Sequence, residues 1–153
     1  DWLRLVGSEM CISDSGEGVV GWDWISLRLD DGRDLMVFRL RRGDGSLDPR
    51  SAGTLVEADG RGAPFAREDF TLEELGWWSS TTTGGRYPTR WRLQVPSAGV
   101  DVEERSLLDA SELDSSATTG VVYWEGPIES TGSHRGEGYL EMTGYAGTME
   151  GRF

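Results

Sequence analysis

Glycine constrains this chain most, because 22 glycines divide its 153 residues into short segments bounded by turn signals. The segment from Trp22 to Leu29 alternates its side chains between two faces, as a β-strand does. The turn Asp30-Asp31-Gly32 leads into a second such segment, Leu35 to Arg41, so the two are predicted to form a hairpin. The pattern as a whole predicts many short antiparallel strands joined by tight turns.

Further strands are predicted along the rest of the chain. They are Gly53 to Ala58, Trp91 to Val95, Val100 to Glu104, Val121 to Glu125, Ile128 to Ser130 and Gly138 to Tyr145. Glu68 to Glu74 fits either a short strand or one helical turn, and Leu107 to Thr119 is expected to be a loop with one helical turn at most.

Strands at this spacing suit an up-and-down barrel or a sandwich, and a barrel best removes exposed sheet edges. We therefore predict an antiparallel all-β barrel of about eight to ten strands. No internal repeat or low-complexity linker divides the sequence, so a single domain over residues 1–153 is expected.

The charge of the chain excludes some partners. Its 27 acidic and 15 basic residues give a net charge of −12. This argues against nucleic acid and anionic lipid, which proteins bind by neutralising phosphates. No run approaches the roughly 18 apolar residues of a spanning helix, so no transmembrane segment is expected. A partner should be neutral or cationic.

Cysteine and histidine are too scarce for the common metal and nucleophile sites. Cys11 is the single cysteine and His134 the single histidine, so an internal disulfide and a thiolate metal site are excluded and a zinc cluster is nearly so. His134 lies in a predicted turn, where a member of a catalytic triad is not expected. No metal site is predicted.

Several motifs occur in an order that resembles one known family. They are Gly21-Trp22-Asp23-Trp24, Leu29-Asp30-Asp31-Gly32, Leu35-Met36-Val37-Phe38-Arg39, Tyr87-Pro88 with Trp91, Tyr123-Trp124-Glu125-Gly126 and Gly138-Tyr139-Leu140-Glu141-Met142-Thr143-Gly144-Tyr145. Together they resemble the AttH, or carotenoid 1,2-hydratase, family over nearly the whole chain. Members of that family carry two consecutive lipocalin-like β-barrel domains, and this chain resembles the second. The resemblance implies a lipocalin-like barrel, with a second such domain or another copy of the chain as a candidate partner.

The resemblance also implies chemistry on apolar, polyene-like molecules without a metal or organic cofactor. Hydratases of the family add water to a carbon–carbon double bond, related fungal proteins catalyse Diels–Alder cyclisation, and other members are ligand carriers. Family membership alone does not choose among these activities. Family analogy favours a secreted or periplasmic location.

The hydratase motif itself is degenerate in this chain. Hydratases of the family are expected to carry a stretch such as Tyr-x-Asp-His-x-Trp about a dozen residues before Trp22. Counting back places it on Leu5 to Met10, where Gly7 and Ser8 stand at the aspartate and histidine positions. Only Glu9 matches, and it is a candidate acid.

Two other carboxylates are candidate catalytic residues. A carboxylic acid that burial keeps protonated, next to aromatic faces, can protonate a double bond and stabilise the cation that forms. Alternation puts Glu125 on the same side as Tyr123, and Glu141 on the same side as Tyr139 and Tyr145. If these faces point inward, Glu125 and Glu141 lie together in the barrel lumen. The alternative is that the faces point to solvent or that the carboxylates are structural.

Aromatic residues complete the predicted site. The candidate ligand-binding residues are Trp22, Trp24, Trp78, Tyr123, Tyr139 and Tyr145. Trp22 and Trp24 either line a pocket or fill the core, and Trp78 either forms an aromatic lip at the barrel mouth or packs under a polar loop. Asp23 falls on the opposite face from Trp22 and is expected to cap a turn or to pair with Arg39.

Two functions follow from these features. The first is a binding module whose cavity takes an apolar, polyene-like small molecule, which needs no catalytic group. The second is a cofactor-free enzyme, either a hydratase (a lyase) or a Diels–Alder-type cyclase, that uses Glu125 or Glu141 in place of the missing aspartate. A cycloaddition demands mainly a shaped pocket and a hydrogen-bond donor, so it tolerates the motif loss better than hydration does.

Overall fold

A computed structural model of the protein describes residues 18–147, which form ten antiparallel strands. The strands are β1 (Val19–Leu29), β2 (Asp34–Arg42), β3 (Ala52–Val56), β4 (Gly62–Ala66), β5 (Thr71–Ser79), β6 (Arg86–Val95), β7 (Val100–Ser106), β8 (Glu112–Ser115), β9 (Val121–Gly132) and β10 (Gly136–Thr143). Short 3-10 turns lie at Arg67–Asp69 and Pro96–Ala98. No helix within residues 18–147 is long and apolar enough to cross a bilayer.

The ten strands form one sheet, in which nine follow the order β4-β3-β2-β1-β10-β9-β7-β6-β5 and β8 pairs with β9 beside this path. β4 and β5 lie at the two ends of this order, and the sheet curls into a lipocalin-like half-barrel. The predicted hairpin is confirmed as β1 and β2, joined by a turn in which Gly32 has a φ of +87°. Residues other than glycine rarely adopt that conformation.

Part of one segment that was predicted to be a loop is a strand. β8 lies within the segment from Leu107 to Thr119 and pairs with the first part of β9, from Val121 to Trp124. β7 pairs with the last part of the same edge of β9, from Ile128 to Gly132. The long strand β9 therefore takes two successive partners, which the local polarity of the segment did not indicate.

The large core fills the concave interior, because the alternate side chains of nearly every strand converge there. Its fully buried members are Ile25, Leu27, Leu29, Leu35, Val37, Leu55, Phe70, Tyr87, Trp91, Leu93, Val95, Val100, Val102, Trp124, Ile128, Leu140 and Met142. Burying one large apolar side chain stabilises the fold by about 1.5–3 kcal/mol, so this interior layer holds the half-barrel together.

A smaller apolar cluster lies on the opposite, convex face of the sheet. Val19, Trp22, Leu40 and Val121 are buried in it, and Trp24, Phe38 and Tyr123 pack against them. Aromatic residues thus occupy both faces of β9, with Tyr123 on the convex side and Trp124 in the interior, but only the convex face of β1.

Candidate functional site

The predicted carboxylates do come together, but on the convex face. Glu125 of β9 lies directly opposite Glu141 of β10 in the sheet register. The indole Nε1 of Trp22 donates a hydrogen bond of 2.8 Å to Glu141 Oε1, and the Trp22 and Tyr123 rings meet edge to face with centroids 6.3 Å apart. The inward orientation considered for this face is wrong, because Trp124, Leu140 and Met142 occupy the interior side of the same strands.

We call this convex surface the outer patch. It consists of Trp22, Trp24, Tyr123, Glu125, Tyr139 and Glu141. Burial raises the pKa of Glu141, the hydrogen bond from Trp22 opposes that rise, and the nearby charge of Glu125 adds to it. Tyr139 is 41% exposed. The patch is therefore a partly buried acidic pair rimmed by aromatic rings, and it is open to a partner from outside.

Two other predicted residues lie on the interior side. Trp78 and Tyr145 pack against the large core, and both contact Tyr87. The Trp78 and Tyr87 rings stack with centroids 6.0 Å apart, and the Tyr87 and Tyr145 centroids are 5.5 Å apart. Glu9 lies outside the described residues. The structure therefore divides the predicted aromatic set between the two faces of the sheet.

A buried charge network holds Tyr145 in place. Asp23 is fully buried and accepts hydrogen bonds of 2.8 Å from Arg39 Nε and from the Tyr145 hydroxyl. Arg41 Nε lies 3.2 Å from the same Asp23 oxygen that Arg39 contacts, without hydrogen-bond geometry. Of the two roles considered for Asp23, pairing with Arg39 is the one observed. Burial, with the charge of Asp23 added, raises the pKa of Tyr145 above its usual range.

Arg39 extends this network across the interior. Its Nη2 lies 2.7 Å from Glu74 Oε1 on β5, and its guanidinium sits 4.8 Å from the centroid of the Trp91 ring. Burial opposes the charged form, but Asp23 and the other acceptors outweigh it and raise the pKa of Arg39. Arg39 thus joins β2 to β5, the strand at the far end of the sheet order.

Glu112 of β8 joins its strand to the β5–β6 hairpin. Its carboxylate accepts hydrogen bonds from Ser80 Oγ at 2.7 Å, Thr83 Oγ1 at 2.6 Å and Tyr87 Oη at 2.7 Å. Burial raises the pKa of Tyr87 above its usual range, and the bond to Glu112 adds to the rise. Glu112 therefore joins β8 to the β5–β6 hairpin through three hydrogen bonds, and we call this set of contacts the clasp.

The clasp yields a stability prediction. Glu112→Ala leaves the buried Tyr87 hydroxyl without its charged acceptor, so we expect the free energy of unfolding to fall by about 2–3 kcal/mol. Urea denaturation at pH 7 measures the change. Asp114→Ala is the control, because Asp114 lies on the same strand but is exposed and, within residues 18–147, accepts a hydrogen bond from the nearby backbone N–H of Ser116. A loss no larger than that of the control would contradict the role of the clasp.

The most unusual interior feature is a row of unpaired polar groups that sequence reasoning missed. Glu104 of β7 is opposite Trp91 of β6 on one side and Ser130 of β9 on the other. All three residues are buried, and both Glu104 carboxyl oxygens, Trp91 Nε1 and Ser130 Oγ have no hydrogen-bond partner within residues 18–147. Burial raises the pKa of Glu104 to about 8. We call these three residues the interior polar row.

A signal for the interior polar row was present in the sequence. Val100, Val102 and Glu104 share one face of the strand by alternation, so an acid stands where the pattern calls for an apolar residue. Buried carboxylates are costly unless paired, so such a position marks a candidate functional group. No group of three or more histidine, cysteine or acidic residues within residues 18–147 could hold a metal ion.

A surface groove of about 560 Å³ reaches the interior polar row at Ser130. Its walls are Arg28, Leu29, Asp30, Glu129, Ser130, Thr131, Arg135, Gly136 and Glu137. Gly136 is opposite Ser130 in the register and contributes no side chain to the space. The groove has the size of a small-molecule site and touches a residue of the interior polar row.

Comparisons with known proteins agree with this architecture. A family model described as AttH-like matches residues 8–145. A crystal structure of an AttH protein from Nitrosomonas europaea is 37% identical, with a TM-score of 0.76 over 84% of this chain and 40% of that chain. Kievitone hydratase from Nectria haematococca is 16% identical, with a TM-score of 0.65 over the same shares, and this likeness shows the fold alone. A search of curated proteins returned no significant match.

The present chain spans 40% of the length of each of these two structures. The family model covers nearly all of the chain, and the resemblance inferred from Gly21-Trp22-Asp23-Trp24 and the later motifs is confirmed. The chain belongs to the AttH-like family.

Proposed function

We propose that this half-barrel binds an apolar small molecule at its interior, next to the interior polar row. One observation carries the proposal: Glu104, Trp91 and Ser130 are adjacent, buried and unpaired within the described residues. A buried polar group without a partner costs about 1–3 kcal/mol, so native structures rarely hold three together. A ligand that hydrogen-bonds to the row would offset that cost.

The surroundings of the interior polar row favour an apolar ligand body. Val102, Leu93 and Ile128 are buried on the same interior face of the three strands that carry the row. The side chains that surround the unpaired groups are therefore hydrocarbon, which suits a polyene or a similar skeleton. The groove at Ser130 and Gly136 supplies an entry for it.

A second candidate is cofactor-independent acid catalysis on such a ligand. The supporting observation is that Glu104 has a pKa of about 8, so its carboxyl group is protonated at neutral pH and can donate a proton. This assigns to Glu104 the role that the sequence suggested for Glu125, Glu141 or Glu9. The outer patch is retained as an alternative site, because Glu125 and Glu141 also lie beside aromatic rings.

Binding can be tested with retinol, an apolar polyene that quenches tryptophan fluorescence. We expect saturable quenching by retinol, and at least about tenfold weaker binding in Ser130→Leu, which puts a larger apolar side chain into the wall of the groove and removes a hydroxyl. Tyr139→Ala, on the outer patch, is the matched control and should bind as the wild type does. Circular dichroism checks that both variants are folded.

The outcomes separate the two faces of the sheet. Absence of saturable quenching by retinol, in a folded protein, would contradict the binding function. Weaker binding in Tyr139→Ala with normal binding in Ser130→Leu would move the site to the outer patch. Following the absorbance spectrum of bound retinol over time tests catalysis, because consumption of a double bond shifts the polyene absorption.

A further inference from the structure

The interior polar row has a definite hydrogen-bonding character. Trp91 Nε1 can only donate, the protonated carboxyl of Glu104 has an O–H to donate, and the Ser130 hydroxyl can do either. None of these atoms is bonded to another within residues 18–147, so their capacity is unused. The row therefore offers three free donors toward the interior, and the N–H of Trp91 can be satisfied only by an acceptor atom.

Among the described residues, the charged side chains nearest to these donors are already paired with one another. Arg39 lies over the Trp91 ring, but its guanidinium is already bonded to Asp23 and Glu74. The neighbours of Glu104 along β7, Glu103 and Arg105, point outward and pair with Arg90 and Glu129 on the convex surface. Desolvation is the cause of the raised Glu104 pKa. An ionised ligand group would find no countercharge at the row unless Glu104 itself ionised.

We infer that the interior polar row selects apolar ligands bearing an uncharged oxygen, a carbonyl or hydroxyl, which accepts hydrogen bonds from Glu104 and Trp91. This inference rests on the proposed interior binding function and names its ligand class. A site built to bond a ligand oxygen discriminates strongly against an analogue without it, because its buried donors then stay unpaired. A pure hydrocarbon or an organic cation of the same shape should bind more weakly.

Three probes of one shape test the inference by titration calorimetry at pH 6. They are 2-acetylnaphthalene, which has a carbonyl oxygen, 2-isopropenylnaphthalene, in which a methylene group replaces that oxygen, and 1-(2-naphthyl)ethylamine, which is a cation. We expect the ketone to bind the wild type at least about tenfold more tightly than the hydrocarbon does. Glu104→Leu should bring that ratio close to one while the hydrocarbon still binds. Glu104→Gln keeps an N–H donor and should keep most of the ratio.

The pH dependence supplies an independent readout. As pH rises past about 8, Glu104 loses the proton that it donates, so the preference for the ketone should decline in the wild type. The groups facing Glu104 are Trp91 and Ser130, which do not titrate in this range, with Arg39, Asp23 and Glu74 beyond the Trp91 ring. Glu104→Gln should retain the same preference from pH 6 to 9.

The inference and the binding function can fail separately. If neither the ketone nor the hydrocarbon binds the wild type, the proposed function fails. If both bind equally and Glu104→Leu changes neither, the function stands and the inference is overturned. Preferential binding of the cation would also overturn it, because that result requires an ionised Glu104.

Discussion

The free energy of unfolding of the wild-type protein should fall steadily as pH rises from about 4.5 to 8, with Glu104 alone contributing a loss of about 5 kcal/mol. The carboxyl group has its ordinary pKa near 4.5 in the unfolded chain and about 8 when buried in the folded protein. Between those values the folded state binds a proton that the unfolded state has released. The contribution of Glu104 to stability is therefore fully present below the lower value and is lost as pH rises to the higher one.

Urea denaturation at half-unit steps from pH 4.5 to 8.5 measures this loss. Glu104→Leu and Glu104→Gln lack the titrating group, and the difference between their slopes and the wild-type slope isolates Glu104. That difference matters because the raised pKa of Glu141 acts in the same direction. At pH 8 the leucine variant should be more stable than the wild type, since it removes an unpaired buried carboxyl.

Glu103→Gln is the matched control for this series. Glu103 precedes Glu104 on the same strand, but it faces outward and pairs with Arg90 at 2.7 Å. It should keep the wild-type dependence on pH. Identical slopes for the wild type and Glu104→Leu would mean that Glu104 titrates normally in the folded protein, and the interior polar row would lose its protonated acid.

Much of the fold could be predicted because local patterns determine hairpins. The hairpin of β1 and β2 could be predicted from the alternation of Trp22 to Leu29 and of Leu35 to Arg41, together with the glycine in the turn between them. The same rule placed Glu125 and Glu141 on one side of their strands with Tyr123 and Tyr139. The structure shows these side chains on one face, but Tyr145, which the same alternation placed with Glu141, lies on the interior side because β10 ends at Thr143.

What alternation does not determine is which face is the interior. β1 carries Trp22 and Trp24 on one side and Ile25 and Leu27 on the other, so neither side is plainly polar. The choice depends on the curl of the whole sheet, which brings distant strands onto the aliphatic side. The sequence thus grouped the residues of the outer patch together, but it could not show that they lie on the convex face of the sheet.

The interior polar row could not be assembled from the sequence because its members are not local to one another. Trp91, Glu104 and Ser130 meet only through the pairing of β6 with β7 and of β7 with β9. The second pairing exists because one edge of β9 pairs first with β8 and then, further along, with β7. β8 lies in a segment without clear periodicity. Without that change of partner the sequence gives no reason to place Glu104 beside Ser130.

Asp23→Asn should lower the free energy of unfolding by about 3 kcal/mol or more, because it removes the negative charge of a fully buried carboxylate that pairs with arginine. Arg39 and Arg41 would remain near position 23 with no negative charge there to offset their mutual repulsion. The amide of asparagine keeps the shape of the side chain and one acceptor, so the loss measures charge rather than a cavity. Urea denaturation at pH 7 gives the value.

A double-mutant cycle of Asp23→Asn with Arg39→Met measures how much of that loss comes from the interaction between these two side chains. If Asp23 serves mainly to neutralise Arg39, the two substitutions should be strongly non-additive, with a coupling energy of about 2–3 kcal/mol. The exposed pair Asp59 and Arg61, 2.7 Å apart, is the control and should show no measurable coupling. A coupling near zero for Asp23 and Arg39 would mean that the contacts of Arg39 with β5 and with the Trp91 ring stabilise the arginine without any contribution from Asp23.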